Sequence, residues 1–445
     1  MSSGLFGGVL ARGQVAGAVD DHAFLQGMLD FERALARAQA AAGLMEPRAA
    51  EAIAAACRAE DYDPVAIGAQ APSIGNPAGP LVKALTARVE GPGRGQVHRG
   101  ATSQDVVDTA MMIVARRALT LLRQDLDGAA FAAAALARAH RATPIAGRTL
   151  LQQAVPTTFG LKAASWMTGL DAAADRVLAV RCERLAVQFG GAAGNLAGLG
   201  DRGIEVLEGI ARELDLPAPA IPWHTDRTRI ADIAGALALA CGAVAKVARD
   251  VVLLSQTEVG EVREGTGGGS SAMPHKRNPV AAISALGAAR QAPGLAATLL
   301  ASMEQEHERA AGAWHAEWSP LRELLVAAGS AAAWLRDCLE GLEVDPERMR
   351  ANLDLTGGLL LAERVTAALT DAIGRGTAHE LVERAASEAG ASDRSFAEVL
   401  CDDPQVRDHL GADAVGELMD PTGYLGSAPG LVDRALNAHD HRRPA

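Results

Sequence analysis

The sequence predicts an all-α fold, and two observations support this fold class. Hydrophobic residues make up 49% of the 445 residues but aromatic residues only 3%, so the apolar content is mostly Ala, Leu and Val. Such a composition suits closely packed helices. In addition, residues 106–140 contain no proline, and as one helix this run would span about 50 Å. Sheet-rich folds are therefore disfavoured.

The helical patterns divide the chain into three predicted regions: an N-terminal helical domain at 1–105, a central helix bundle at 106–350 and a small C-terminal helical domain at 351–445. In the first region, short helical patterns alternate with connectors rich in Pro and Gly. The central region carries long runs whose apolar residues recur at roughly helical spacing, at 106–140, about 156–188, 228–263, 280–310 and 316–340. The last region alternates short helical patterns with polar loops.

Apolar residues extend around more than one face of the central runs, as in 232–254. Because a surface helix needs only one apolar stripe, we expect these helices to be buried between subunits. The long stretch with the fewest charges, 279–303, carries only Arg290 and is interrupted by Pro and Gly, which favours an oligomer core over a membrane span. We therefore predict a homo-oligomer without a membrane segment.

Charge and cysteine usage narrow the classes of partner. The formal net charge of −12 argues against nucleic acid as a partner. The five cysteines are scattered and form no CxxC pair, which fits reduced thiols in a cytosol. The N-terminus lacks the basic and apolar segments of a secretory signal, so the predicted location is the cytoplasm. Metal-binding and nucleotide-binding motifs do not appear in the sequence, and we predict neither a metal ion nor a cofactor.

The signature loop, residues 265–279 (GTGGGSSAMPHKRNP), is the strongest functional signal in the chain. Four glycines precede two adjacent serines, a cluster of cationic side chains and a proline suited to begin the next helix. A loop with this glycine content is expected to move, and it offers both a hydroxyl group and positive charge. An ordinary surface loop shares the Gly and Ser content but not the whole string.

Three segments together resemble the fumarase/aspartase family. SSAMPHKRNP in the signature loop matches that family's diagnostic sequence, HRGATSQDVVDT at 98–109 is similar to its carboxylate-binding segment, and GRTLLQQAVPTTFG at 147–160 is similar to its GRTHLQ segment. The matches follow the family's order. The resemblance implies a three-region fold with a central long-helix bundle, a small di- or tricarboxylate substrate, and a homotetramer whose active sites combine segments from different subunits.

By this resemblance, a serine of the signature loop exchanges the proton at the carbon beside a substrate carboxylate. Ser271 is the first choice and Ser270 the alternative. The glycine-rich turn and nearby cations are expected to lower the pKa of the serine when the loop closes. Lys276 then balances the charge of the enolate-like intermediate and Asn278 donates to the same carboxylate. His275 either is solvated or helps to hold the loop closed.

The segment at 98–109 is implied to bind a substrate carboxylate through Thr102 and Ser103. Capping of the following helix by Ser103 or Asp105 is the structural alternative, and both roles are compatible. His98 and Arg99 precede this pair and would supply the extra positive charge that a tricarboxylate needs, although a lone histidine is more often structural. In the third segment, Thr149 and Gln152 are implied to donate hydrogen bonds to substrate, and Arg148 pairs either with a substrate carboxylate or with an acidic residue.

One position departs from the family. Where the family usually has a His after Arg-Thr, this sequence has Leu150, which neither donates nor accepts a proton. Loss of an amine or hydroxide needs a general acid, whereas a carboxylate leaves readily because its conjugate acid has a pKa of about 4. Leu150 thus favours lactone chemistry. Within the family that the sequence resembles, this implies the cycloisomerase branch, whose expected reaction converts 3-carboxy-cis,cis-muconate to a carboxymuconolactone in the protocatechuate branch of aromatic degradation.

Two alternatives stand beside this hypothesis. The first is another lyase of the same superfamily that acts on a substituted succinate, such as adenylosuccinate or nitrosuccinate; loss of nitrite also tolerates Leu150. The second belongs to a different class, a catalytically silent structural protein on the same scaffold. The presence of Thr102, Ser271 and Lys276 argues against the silent protein.

Overall fold

The computed structural model describes residues 4–265, 268–269, 273 and 275–442, and most of these residues lie in helices. The N-terminal part contains α1 (Gly7–Leu10), α2 (Val15–Ala18), α3 (Asp21–Ala41), α4 (Pro47–Ala56), α5 (Pro64–Gln70), α6 (Ala78–Arg88) and α7 (Ser103–Ala139). The middle contains β1 (Pro144–Thr149), β2 (Gln152–Thr158), α8 (Phe159–Glu183), α9 (Gly203–Leu214), α10 (Thr228–Leu254), β3 (Val262–Glu264), β4 (Gly268–Gly269) and β5 (Arg277–Asn278). The remainder contains α11 (Val280–Ala289), α12 (Ala292–Ala301), α13 (Ala313–Glu340), β6 (Leu342–Val344), α14 (Pro346–Leu353), α15 (Ala362–Ile373), α16 (Arg375–Gly390), α17 (Phe396–Asp402), α18 (Pro404–His409), α19 (Gly411–Leu418) and α20 (Ala428–Asp440).

The chain forms two compact units, each assembled from separate stretches of sequence. The first consists of Met1–Asp127, Ala172–Ala245 and Ser284–Arg336, and the second of Gly128–Asp171, Lys246–Ile283 and Asp337–Ala445. The four longest helices, α7, α8, α10 and α13, contribute residues to both units. The three sequence regions predicted above remain a prediction.

The predicted all-α class is confirmed, and so is the long helix at 106–140, which the structure extends to Ser103–Ala139. Two predicted runs were wrong in their bounds. In the predicted run at 228–263, the helix ends at Leu254. Turns follow it and include Gly260, which has a φ of 62°. The run at 280–310 is two ten-residue helices, because the chain turns after Ala289 and Pro293 lies in the first turn of the second helix.

The interior of the first unit surrounds the start of α7. Residues 104–115 of this helix are all buried, which is typical of a helix enclosed in a core rather than one at a surface. Helix α3 packs against α4 and α9. It begins at Asp20, whose side chain accepts the backbone N–H of Ala23 at 2.8 Å, and it carries Phe31, which contacts Phe189 with 6.3 Å between ring centroids. The start of α7 is therefore held in a dry, packed environment.

Among its described residues, the second unit contains three two-stranded antiparallel sheets, which the sequence patterns do not predict. β1 pairs with β2, β3 pairs with β6, and β4 pairs with β5. With two to seven residues each, these strands are too short to show a clear alternation of apolar and polar residues. Helices α15 to α19 enclose a small separate core that includes Val365, Leu369, Leu381, Phe396 and Leu400.

Within the described part of the chain, one helix has the length and composition of a membrane span. This helix, Thr228–Leu254, has a mean hydropathy of 1.8, but 50% of the apolar stretch is buried inside the protein. A buried core helix passes the same test of length and composition.

The hairpin between β1 and β2 turns at Leu150 and Leu151, the hairpin tip. Thr149 pairs with Gln152, so the loop has only two residues, and both have positive φ values, 52° and 65°. Two-residue hairpin loops favour such angles, but Asn and Gly normally supply them, since a branched side chain is strained there. Both leucines are exposed, at 98% and 77%. Strain of this kind at a sequence motif is typical of functional sites.

We expect the double variant Leu150→Asn, Leu151→Gly to raise the free energy of unfolding by about 1 kcal/mol, because Asn and Gly relieve the strain of positive φ. We also expect kcat/KM to fall by about tenfold or more, a trade of activity for stability. Denaturant unfolding and steady-state kinetics measure the two effects. Leu355→Asn serves as the control, since Leu355 is 69% exposed and lies outside the positive-φ region. Unchanged kinetics in the double variant would show that the hairpin tip has no part in catalysis.

Candidate active site

The carboxylate turn, residues 98–103, leads directly into α7 in the first unit. The backbone N–H of Thr102 donates to Asp105 Oδ2 at 2.9 Å, and the N–H of Asp105 donates to the Thr102 carbonyl at 3.0 Å. Thr102 and Ser103 are half-buried. The first N–H groups of a helix have no partners within the helix and carry its positive dipole end, so this position favours an anion. The predicted capping alternative applies to Asp105, whose side chain bonds within the turn.

Arg99 fixes the carboxylate turn to the preceding helices. Its Nη1 donates to the Leu44 carbonyl at 2.9 Å, and its own carbonyl accepts from Gln39 Nε2 at 2.6 Å. The Arg99 side chain is exposed. Its predicted contact with substrate stays a prediction, while the bonds to Leu44 and Gln39 give it a clear structural role.

His98 forms a buried pair with Glu32 of α3. His98 Nδ1 lies 2.6 Å from Glu32 Oε1, and the Glu32 side chain is only 1% exposed. His98 has a positive φ of 61°, an unfavourable backbone conformation that the surroundings must hold in place. Burial alone would lower the pKa of His98, but the charge and hydrogen bond of Glu32 and the charge of Asp105 outweigh it and raise the pKa. The pair therefore favours a positively charged His98 at the start of the carboxylate turn.

Replacing Glu32 by glutamine is expected to lower the pKa of His98, because burial then dominates. A histidine whose folded pKa is raised stabilises the fold below its unfolded pKa of about 6.5, and this stabilisation is lost as pH rises through the folded pKa. The stability advantage of the wild type over Glu32→Gln should thus be largest in acid and shrink above neutral pH. Denaturant unfolding at several pH values measures this difference. A difference that does not vary with pH would contradict the His98–Glu32 pairing.

The second unit contains the predicted residues of the hairpin. Arg148 forms a two-pronged ion pair with the fully buried Glu261, at 2.9 and 2.7 Å, and Asn352 Nδ2 donates to Glu261 at 2.8 Å. Of the two predicted partners for Arg148, the structure thus contains the acidic one; a bond from Arg148 to substrate stays a prediction. Thr149 and Gln152 flank the hairpin tip and are exposed, so their side chains are open to a ligand.

The ends of the signature loop are joined by a short sheet in the second unit. Gly268 pairs with Asn278 and Gly269 with Arg277, and the N–H of Lys276 donates to the Met273 carbonyl at 3.0 Å. Ser270 and Ser271, the predicted proton-exchanging residues, lie outside the described residues. His275 and Lys276 are exposed, and Asn278 is half-buried.

Beside the loop lies a cavity of about 970 Å³, whose lining includes His275, Lys276, Arg277 and Asn278. Glu264, immediately before the loop, accepts the N–H groups of Ala281 and Ala282 at 3.0 and 2.8 Å, at the start of α11. One buried carboxylate therefore links the two ends of the signature loop and caps the helix that follows. Sequence patterns gave no sign of this role, because the partners of Glu264 lie 17 and 18 residues away.

Sequence analysis also missed a buried charge cluster in the first unit: Asp108, Arg227 and Glu317. Arg227 Nη1 donates to Asp108 at 2.8 Å, and its Nη2 donates to Glu317 at 2.6 Å. All three side chains are at most 3% exposed. Trp314 Nε1 donates to Asp108 at 2.9 Å and Gln305 to Glu317 at 3.0 Å. Charged side chains are rarely this deeply buried unless paired, and the cluster joins α7, α13 and the residues just before α10.

Arg309 and Asn195 form hydrogen bonds with the glycine-rich segment that follows α8. Arg309 Nη2 donates to the carbonyls of Gly191 and Ala192 at 3.2 and 2.9 Å. Asn195 Oδ1 accepts the N–H of Ala197 at 3.2 Å, the expected behaviour of a turn residue. Both therefore shape the glycine-rich segment that follows α8.

The described site residues thus fall into two groups. His98, Arg99, Thr102 and Ser103 lie in the first unit. Arg148, Thr149, Gln152, His275, Lys276 and Asn278 lie in the second. In each group, buried polar residues such as Glu32 or Glu261 hold the predicted substrate-binding residues in place.

The chain belongs to the lyase family that the sequence motifs predict. The family model described as lyase matches residues 10–294, and a second one, adenylosuccinate lyase C-terminus, matches residues 358–435. The chain is 49% identical to 3-carboxy-cis,cis-muconate cycloisomerase from Bradyrhizobium diazoefficiens, with 98% of each chain covered. It is also 49% identical to nitrosuccinate lyase from Streptomyces davaonensis, covering 100% of this chain and 96% of that one.

The fold is similar to that of solved structures in the same family. The crystal structure of 3-carboxy-cis,cis-muconate lactonizing enzyme from Pseudomonas putida matches with a TM-score of 0.93 and 44% identity, covering 98% of this chain and 99% of that one. The predicted fumarase/aspartase resemblance and helical fold class are therefore confirmed, and the chain is an enzyme of this superfamily.

Proposed function

We propose that the chain is a cycloisomerase that closes 3-carboxy-cis,cis-muconate to a carboxymuconolactone. The observation that carries the proposal is the full-length similarity to cycloisomerases, at 49% identity to the relative from Bradyrhizobium diazoefficiens and 47% to that from Pseudomonas aeruginosa. Leu150 agrees with it chemically, because it leaves the hairpin tip without the histidine that would protonate a poor leaving group.

Written as free acids, the substrate and the lactone are isomers. Written in ionised form, the reaction takes up one proton from solvent through the serine, because one carboxylate becomes an ester while a carbon is protonated. One substrate carboxylate oxygen forms a C–O bond to a carbon of the conjugated double bond. The π electron pair of that double bond then moves toward the neighbouring carboxylate. The resulting enolate-like intermediate then takes a proton at carbon. Ser271 donates this proton in the lactonising direction and removes it in the reverse direction, with Ser270 as the alternative.

Each of the two groups offers partners for negative charge. Lys276 and Asn278 stabilise the enolate-like intermediate. Thr102 and Ser103 bind a second carboxylate at the start of α7, where the helix dipole favours an anion. His98 supplies positive charge next to them, which is consistent with its raised pKa.

The direct test is to mix the protein with 3-carboxy-cis,cis-muconate and follow the loss of its conjugated-diene absorbance in the ultraviolet. Decay with formation of a lactone, identified by NMR, is the expected result. Adenylosuccinate is the negative control substrate, since the loss of its amine needs the general acid that Leu150 does not provide. No decay of the diene would remove the cycloisomerase proposal.

Nitrosuccinate elimination is the second candidate, because the relative that acts as nitrosuccinate lyase is equally similar, at 49% identity. Nitrite, like a carboxylate, leaves without general-acid help. The two functions separate in one assay in which fumarate and nitrite are measured after incubation with nitrosuccinate. Turnover of nitrosuccinate alone would replace the cycloisomerase proposal.

We further infer a cytoplasmic homotetramer with active sites shared between subunits. Several large apolar side chains of the long and middle helices are exposed on the single chain, among them Phe131 at 63%, Ile283 at 50%, Leu300 at 53% and Leu239 at 47%. Contacts between copies would remove this apolar surface from water. Light scattering after size exclusion should give four times the chain mass of 45.8 kDa. An active monomer would contradict the shared sites.

A further inference from the structure

Asp105, in the first turn of α7, is bonded to two different loops of the first unit. It is fully buried, and its carboxylate accepts four hydrogen bonds. Three come from backbone N–H groups: Thr102 at 2.9 Å, Gly190 at 3.0 Å and Gly191 at 2.9 Å. The fourth comes from His224 Nε2, 2.7 Å away. Backbone N–H groups can only donate, so the Asp105 carboxylate is the acceptor of this network, and His224 Nε2 completes it as the fourth donor.

Glycines allow the two loops to approach each other. Gly191 has a φ of 69°, and a Cβ atom there would lie 2.8 Å from the Gly100 carbonyl oxygen of the carboxylate turn. A Cβ on Gly190 would lie 2.8 Å from His224 Cε1. Only backbone without side chains fits between these groups. The carboxylate turn and the turn at 190–191 are therefore in direct contact, with Asp105 bonded to both.

His224 is itself held in place. Gln104 Nε2 donates to the His224 carbonyl at 2.8 Å, and the neighbouring Trp223 bonds to Gln188 Oε1 and the Val187 carbonyl, both at 2.9 Å. His224 is 4% exposed. Its ring thus has a fixed orientation toward Asp105, a precondition for holding a second group in place.

The placement of Asp105 raises an electrostatic problem that His224 relieves. The anion lies one helical turn from the position that we propose for a substrate carboxylate, and two such anions repel each other. The four hydrogen-bond donors stabilise the negative charge of Asp105 and so reduce its repulsion of an anion at the start of α7. Without His224, Asp105 Oδ1 keeps only the N–H of Gly190, so the buried carboxylate loses one of its four donors and is held less firmly against Thr102.

We propose that Asp105 and His224 are a pair of positioning residues that hold Thr102 and Ser103 in the geometry that binds a substrate carboxylate. The proposal rests on the function proposed above for this turn, but it does not depend on which tricarboxylate or dicarboxylate is the substrate. His224 acts through Asp105 and not by contact with the reacting atoms.

Two amide variants provide the matched test, since they differ only in reach. His224→Gln places an amide N–H about where Nε2 of the imidazole lies, whereas His224→Asn is too short to reach Asp105. We measure kcat and KM, and the Kd of tricarballylate, a saturated tricarboxylate that does not react, by calorimetry. His224→Asn is expected to raise KM and Kd tenfold or more, with kcat lowered less than threefold. His224→Gln should restore both constants to within threefold of the wild type.

Thermal unfolding and a surface control separate positioning from folding. His409 is exposed, and His409→Asn should leave all constants unchanged. Equal effects of the Gln and Asn variants, or a fall in kcat alone, would overturn the proposal, because a merely structural histidine predicts no difference in KM or Kd between two folded variants. Asp105→Asn should reproduce the raised Kd of His224→Asn, and an unchanged Kd there would also overturn it.

Failure of the proposed substrate gives a different result. In that case the wild type leaves 3-carboxy-cis,cis-muconate unchanged, while tricarballylate binding still distinguishes His224→Gln from His224→Asn. A wild type that turns over its substrate with the same KM in both variants would instead remove the positioning pair and leave the function intact.

Discussion

Replacing Ser271 by alanine is expected to lower kcat for 3-carboxy-cis,cis-muconate by about 10²–10⁴-fold, the range that a positioned proton donor contributes. KM should change little, because the carboxylate contacts of the carboxylate turn and of Asn278 are untouched. Initial rates from the diene absorbance measure both constants. A loss confined to kcat is the signature of an interaction made in the transition state.

Ser270→Ala is the matched control, since it removes the same hydroxyl one residue away. We expect Ser270→Ala to lower kcat by less than about tenfold, which is below the loss expected for removal of a proton-transfer group. The opposite order of effects would assign proton exchange to Ser270. Full activity of both variants would show that neither serine exchanges the proton.

Replacing Arg227 by leucine is expected to lower the free energy of unfolding by about 3–5 kcal/mol, because it leaves Asp108 and Glu317 as uncompensated buried charges. Burial alone would lower the pKa of Arg227, yet the two carboxylates raise it, which shows how strongly they favour its charge. Chemical denaturation of the purified variant measures the loss.

The control for Arg227→Leu is Arg138→Leu, which breaks an ion pair with Asp440 whose side chains are 47% and 51% exposed. Solvent screens such a pair, and its loss should cost less than about 1 kcal/mol. Similar losses in the two variants would contradict the role of Arg227 as the partner of two buried carboxylates.

The buried charge cluster and the positioning pair lie on the same stretch of α7. Asp105 and Asp108 are one helical turn apart, and their partners His224 and Arg227 come from one short segment before α10. We therefore expect Arg227→Leu to weaken tricarballylate binding as well as stability, since the segment that carries His224 loses its attachment to Asp108 of α7 and keeps those to Gln104 and Asp105.

The sequence by itself determined the fold class and the family, and it predicted the chemistry of the signature loop. These depend on local signals. One is the proline-free run that forms the helix Ser103–Ala139, and the others are short motifs that can be recognised without knowing which distant residues they contact. The sequence also located Leu150, whose chemistry narrows the leaving group without any knowledge of its surroundings.

Only the tertiary structure decided which polar residues hold these motifs. His224 meets Asp105 across 119 positions, Glu317 meets Arg227 across 90, and Arg148 meets Glu261 across 113. Neither hydrophobic periodicity nor helix propensity predicts such pairings, because they form only when distant segments pack together and buried charged groups are paired. The strain at Leu150 and Leu151 was hidden for the same reason, since pairing of β1 with β2 imposes the positive φ angles that leucine itself disfavours.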